Sequence, residues 1–142
     1  MTKRFKFEDF VSPGDTASVD LGDGWEAHAT IEYDHDSTPD GRNLDDAAAV
    51  KAWQDDEWFY CGVCVSVSRD GVMLSDKYAN ALWGVEANFP APDSNAYLGE
   101  VADRHIRAAL TDAKAKLVRL ARADEERIGI GLVNGQIREM KA

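Results

Sequence analysis

Cysteine is nearly missing from this chain of 142 residues: Cys61 and Cys64 are the only two. That excludes a disulfide framework and a four-cysteine zinc site. Histidine, at three residues, gives imidazole chemistry little material. No stretch approaches the ~20 consecutive apolar residues that a membrane span requires. The first seven residues lead into Glu8-Asp9 and not into an apolar signal core. The expectation is a soluble, cytoplasmic protein with no membrane partner. Basic side chains are also few, 16 against 26 acidic, for a net charge of −10. Direct nucleic-acid binding, which draws its affinity from cationic charge, is therefore not expected.

What is present is a globular mixture, 44% hydrophobic and 30% charged, of a length suited to one domain over residues 1–142. The acidity is unevenly placed. Residues 1–57 hold 15 acidic and 5 basic side chains, whereas residues 58–142 hold 11 of each, so the front of the chain carries the whole excess. Within residues 8–57 only Arg42 and Lys51 oppose it. Such a segment either keeps a small domain soluble and monomeric or forms a surface for a basic partner.

Trp25, Ala27, Ala29, Ile31 and Tyr33 alternate with polar residues up to Asp34, which predicts a half-buried strand. Gly22-Asp23-Gly24 supplies a hairpin turn to a weaker strand over Ala17–Leu21. Trp58–Ser68 is apolar on both faces, as a central strand requires. Arg69-Asp70-Gly71 turns it into Val72-Met73-Leu74, and Ala81–Ala87 resumes the strand pattern until Pro90 and Pro92. Between His35 and Glu57 lies a long polar connection, in which Asn43 is placed to cap a short helix with Asp45 and Asp46 in its first turn.

Ser94 or Asn95 is placed to cap a long amphipathic helix reaching to about Ala123. Ala102, Ile106, Ala109, Leu110, Ala113, Leu117, Leu120 and Ala121 line one side of it. The tail reads as a hairpin at Asn134-Gly135, between Ile130–Val133 and Gln136–Arg138, or as a flexible end over residues 128–142. Together these elements predict an α+β domain: an antiparallel sheet of about four strands packed on one long C-terminal amphipathic helix.

Chemical constellations are sparse. Cys61 and Cys64 share the spacing of redox motifs, but positions i and i+3 of a strand face opposite ways about 10 Å apart, so they read as buried, inert thiols. Glu26, His28 and His35, with Glu32, Asp34 and Asp36, offer a ligand set for a divalent metal or an acid–base centre, or else a solvated sheet face. His105 sits at the boundary of the helix's apolar side. Ser66 and Ser68 show no partner base in the sequence, and no phosphate-binding or dinucleotide pattern is present. No catalytic residue, metal ligand or cofactor is assigned. Trp58 and Trp83 are expected between sheet and helix, and Trp53, beside Asp55-Asp56-Glu57, as an anchor ringed by charge.

The run Asp55-Asp56-Glu57-Trp58-Phe59, through Cys61-Gly62-Val63-Cys64-Val65-Ser66-Val67-Ser68 to Ala81-Leu82-Trp83-Gly84-Val85-Glu86, closed by Tyr97-Leu98, resembles small acidic proteins of phages and prophages. Their shared pattern is a charged turn, a W-F-x-x-G-V strand, L-W-G-[IV]-E and a helix, and the likeness covers residues 25–123. No activity is assigned to that group, so the resemblance implies an accessory product and transfers no catalytic residue. The reading is a non-catalytic interaction protein that offers a basic partner Asp34, Asp36, Asp40, Asp45, Asp46, Trp53, Asp55, Asp56 and Glu57. Its sharpest form is a DNA mimic. The alternative is a small enzyme or metal protein using Glu26, His28 and His35.

Overall fold

The computed structural model describes residues 4–133. The alternating segment forms β2 (Trp25–Tyr33), joined through a tight turn to β1 (Thr16–Gly22). Asp23 and Gly24 both take positive φ there, 54° and 82°, as a hairpin turn of matching twist demands. The doubly apolar run forms β3 (Phe59–Arg69), followed by the two-residue β4 (Val72–Met73) and by β5 (Ala81–Ala87). All pairings are antiparallel, and β3 is the central strand: β2 lies along one edge, from Trp25 opposite Arg69 to Tyr33 opposite Cys61.

Its other edge is shared. β4 pairs with Ser68 and Arg69, and β5 pairs with Phe59 to Cys64. Where the chain leaves the sheet between them, the ladder is continued by other atoms. Val67 N–H donates to Ser75 Oγ at 2.7 Å, and Val65 N–H donates to the Asn80 carbonyl at 2.9 Å. Backbone polar groups at this depth need partners, and the loop supplies them.

Two helices complete the fold, α1 (Ala47–Gln54) and α2 (Ala96–Val133). α2 lies mainly across β3 and buries Leu98, Val101, Ala102, Ala109 and Ala113 against Ala27, Ala29, Ile31, Cys61, Val63, Val65 and Val67. The α+β architecture, with its antiparallel sheet on one long helix, thus stands as expected. Ala residues at the contact let helix and sheet approach closely. Gly99 extends this: Phe5 of the N-terminal segment crosses the helix there, and a Cβ on Gly99 would meet the Phe5 carbonyl oxygen at 2.6 Å. The same segment is held by Asp103 Oδ1, which accepts from Phe5 N–H at 2.8 Å, and by Asn88, whose side chain bonds both backbone groups of Val11.

Several local expectations change. The N-cap of α1 is Asp46, whose Oδ1 accepts from Ala48 and Ala49 N–H, while Asn43 sits before the helix at φ 59°. Asn95 precedes α2, but its side chain is drawn away to Asn88 N–H, Asn88 Oδ1 and the Asp9 carbonyl. α2 also runs past Ala123 to Val133, through the residues expected to form the first arm of a hairpin. Asn134-Gly135 and the second arm lie outside the described residues. At ~1.5 Å per residue α2 spans about 57 Å, nearly twice the roughly 30 Å of β2. Lys114 Nζ lies 5.9 Å from the Trp25 ring at the end of the sheet, and from Val118 to Arg127 the helix is exposed, Leu120 at 52%.

Gly99→Ala should cost about 1–3 kcal/mol, the usual penalty for forcing extra volume into a packed contact. Urea denaturation should show a lower midpoint with an unchanged slope.

Candidate functional site

The connection from β2 to β3 carries the charge. Asp36, Asp40, Asp45, Asp46, Asp55, Asp56 and Glu57 are all exposed. Among the described residues, one ion pair touches this set, Lys51 Nζ to Asp55 Oδ2 at 2.6 Å, which also raises the lysine's pKa. The connection is nonetheless anchored. Trp58, 1% exposed, donates its indole N–H to the Ala49 carbonyl at 2.8 Å, pinning α1 to the strand that follows. Around it Ala52, Tyr60, Leu44, Trp53 and Phe89 form a second apolar cluster. Trp58 therefore lies in that cluster beside α1, and not between the sheet and α2 as expected. Trp53 is half-buried against the same cluster.

Asp34 is set apart from the other carboxylates. It is buried, 7% exposed, and its oxygens accept from Asp36 N–H at 2.9 Å, Ser37 Oγ at 2.8 Å and Gly84 N–H at 2.8 Å. Burial works against its charge, but the hydrogen bonds from Ser37, Asp36 and Gly84 outweigh it and hold the pKa below the ordinary aspartate value. This carboxylate ties the start of the acidic connection to β5. It does not contribute to an outward surface.

The face of β3 turned away from α2 changes character along its length. Tyr60 lies under the α1 cluster. Gly62 lies under the Trp83 ring, with which a Cβ at that position would overlap. Trp83 is thus 42% exposed on the opposite face from α2, again unlike the expectation. Cys64 is flanked by Glu32 and Lys77, which pair with each other. Ser66 and Ser68 follow, both buried. Contrary to the sequence reading, Ser68 has a partner base: His28 Nε2 is 2.8 Å from Ser68 Oγ, and His28 Nδ1 is 3.1 Å from Ser18 Oγ. Glu26 stands 3.7 Å from the same Nε2. Sequence order hid this pairing, because it is created by the β1–β2–β3 register.

His35 is not part of that group. It lies beyond the end of β2, against Tyr33 at 4.6 Å between ring centroids, and Tyr33 is about 17 Å along the strand from His28. Among the described residues no group of three or more His, Cys, Asp or Glu side chains is placed to hold a metal ion. His105 bonds the Val101 carbonyl through Nδ1 at 2.8 Å, one helical turn back. Burial pushes the Cys61 thiol up to about 12 and the Cys64 thiol up to about 11, and both are free. Thiols so protonated are poor nucleophiles.

The residues marked β5 as a strand but not the exposed apolar surface beside it. Tyr78, Leu82, Trp83 and Tyr97 are large apolar side chains between 39% and 55% exposed, and Tyr78 stacks on Trp83 at 6.4 Å. The signal was there in Gly62, a glycine in the middle of an apolar strand, where close approach of another group is the usual cause.

No family model, curated protein or solved structure matches the chain. Among the described residues no helix is long and apolar enough to cross a membrane. Fold and charge define an acidic α+β protein whose anionic connection is fastened to a sheet-and-helix scaffold.

Two measurements check this. Asp34→Asn should lose about 1–3 kcal/mol near neutral pH, because an amide cannot accept all three bonds. Since Asp34 titrates lower when folded than when unfolded, its contribution is present above the ordinary aspartate pKa and lost as pH falls through the folded value. The gap between variant and wild type should therefore close in acid. For the thiols, a chromogenic disulfide reagent at mildly alkaline pH should label neither cysteine in the native protein and both after denaturation.

Proposed function

We propose that the protein is a non-catalytic accessory protein that binds a basic protein surface through the exposed carboxylates of residues 35–57. The observation that carries this is their availability: seven exposed acids on one anchored connection, with Lys51 their single ion-pair partner among the described residues. The connection joins the end of β2 to the start of β3, the end of the sheet at which α2 begins. Lys114, Lys116, Arg119 and Arg122 lie toward the opposite end, beyond Trp25. Asp23, Asp70, Asp124, Glu125 and Glu126 offset them there, so the uncompensated charge lies on the connection, whose field would steer a cationic partner.

In its sharpest form the carboxylates stand in for DNA phosphates and occupy the groove of a host nucleic-acid-binding protein, as an inhibitor encoded by a phage or prophage would. Two free, buried thiols suit a reducing, cytoplasmic setting.

The test is neutralisation without unfolding. Asn caps helices as well as Asp does, so Asp45→Asn with Asp46→Asn removes charge while keeping α1 capped. Combined with Asp55→Asn and Asp56→Asn, it should slow association about tenfold or more with a basic protein that the wild type captures from host lysate at low salt. The wild-type complex should dissociate as salt rises. A complex indifferent to both salt and the four substitutions overturns the proposal.

A further inference from the structure

A groove of about 420 Å³ runs beside β5, bounded by Arg42, Trp83, Glu86, Phe89 and Tyr97. That volume lies within the ~300–1,000 Å³ common for small-ligand sites. Two of its aromatic walls are half-exposed, Trp83 at 42% and Tyr97 at 43%, and Trp83 is held in place by its seat on Gly62. The Arg42 guanidinium lies over the Gly84 backbone, where a Cβ would meet its Cζ at 2.8 Å. Among the described residues neither Arg42 nor Glu86 forms an ion pair, with each other or with any other group.

Behind these walls lies an independent sign of an unfilled site. Tyr60 is the register partner of Glu86 on β3, so both side chains share one face. It is 2% exposed, yet its hydroxyl has no hydrogen-bond partner. Burial raises its pKa, the Glu86 charge adds to that, and Arg42 opposes it. A buried hydroxyl without a partner is destabilising, and this one lies directly beneath the wall of the groove that Glu86 forms.

The groove thus presents one cation, one anion and aromatic walls, with the Tyr60 hydroxyl buried behind them. A ligand bearing only a phosphate or carboxylate would satisfy Arg42 but meet Glu86 and the repulsion of a molecule of net charge −10. A simple amine would meet Arg42. A molecule carrying both charges avoids each conflict. We propose that this groove binds a free aromatic α-amino acid, its carboxylate on Arg42, its ammonium on Glu86 and its ring against Trp83 and Tyr97.

Calorimetric titration of the full chain with L-phenylalanine, 3-phenylpropionate and 2-phenylethylamine tests this, since the latter two each keep one of the charges. L-Phenylalanine should bind at least tenfold more tightly than either analogue. Arg42→Gln and Glu86→Gln should each weaken it at least tenfold, with circular dichroism confirming that both variants fold. The proposal is overturned if either single-charge analogue binds as tightly as the amino acid. Binding indifferent to Arg42→Gln or Glu86→Gln overturns it too, as does an absence of binding at millimolar L-phenylalanine.

Discussion

Everything in this fold is arranged around the burial of β3. Paired on both edges and closed to solvent from Tyr60 to Ser68, it requires cover on both faces. α2 covers one face with alanines and leucine, a continuous apolar contact. The other has no second long helix. It is closed piecewise, by the α1 cluster over Tyr60, the Trp83 ring over Gly62, the Lys77–Glu32 pair beside Cys64 and the His28 imidazole over Ser68. The acidic connection is therefore a structural layer as well as a charged one. It is fixed to the sheet by Asp34, bonded to Gly84 of β5, and by Trp58, which holds Ala49 and belongs to the cluster over Tyr60.

That double duty divides the carboxylates by their hydrogen bonds. Asp34 is retained inside, where three donors compensate the cost of burying a charge. Asp46 faces solvent but is committed to capping α1. Asp36, Asp40, Asp45, Asp56 and Glu57 have no ion pair among the described residues and leave their charge to act at a distance. An anchored scaffold matters here, because repulsion among free carboxylates would otherwise drive the segment apart.

Much of the fold was legible in the residues. Period-two alternation marked β2, two-sided apolarity marked β3 as central, glycine-bearing turns marked the hairpins, and helical spacing marked α2. These are local signals, each set by the geometry of one element. What misled was also local. Asn43 and Asn95 have the chemistry of caps, but Asp46 takes the first role and tertiary partners claim the side chain of the second. The apolar stripe of α2 continues to Leu120 and Ala121 with nothing in the pattern to show that the sheet ends near Trp25. Of the candidate site, the acidic connection was legible as composition, and the Ser68–His28 contact was not legible at all.

The sequence alone determined element type, strand centrality and the placement of charge along the chain, because each depends on neighbours within a few residues. Only the tertiary structure decided which face each tryptophan covers, which carboxylate is consumed internally and which polar groups meet across the sheet. Those outcomes follow from strand register and from chain crossings over β3, and contacts such as Asp34 with Gly84 join residues whose separation along the chain exceeds any local pattern.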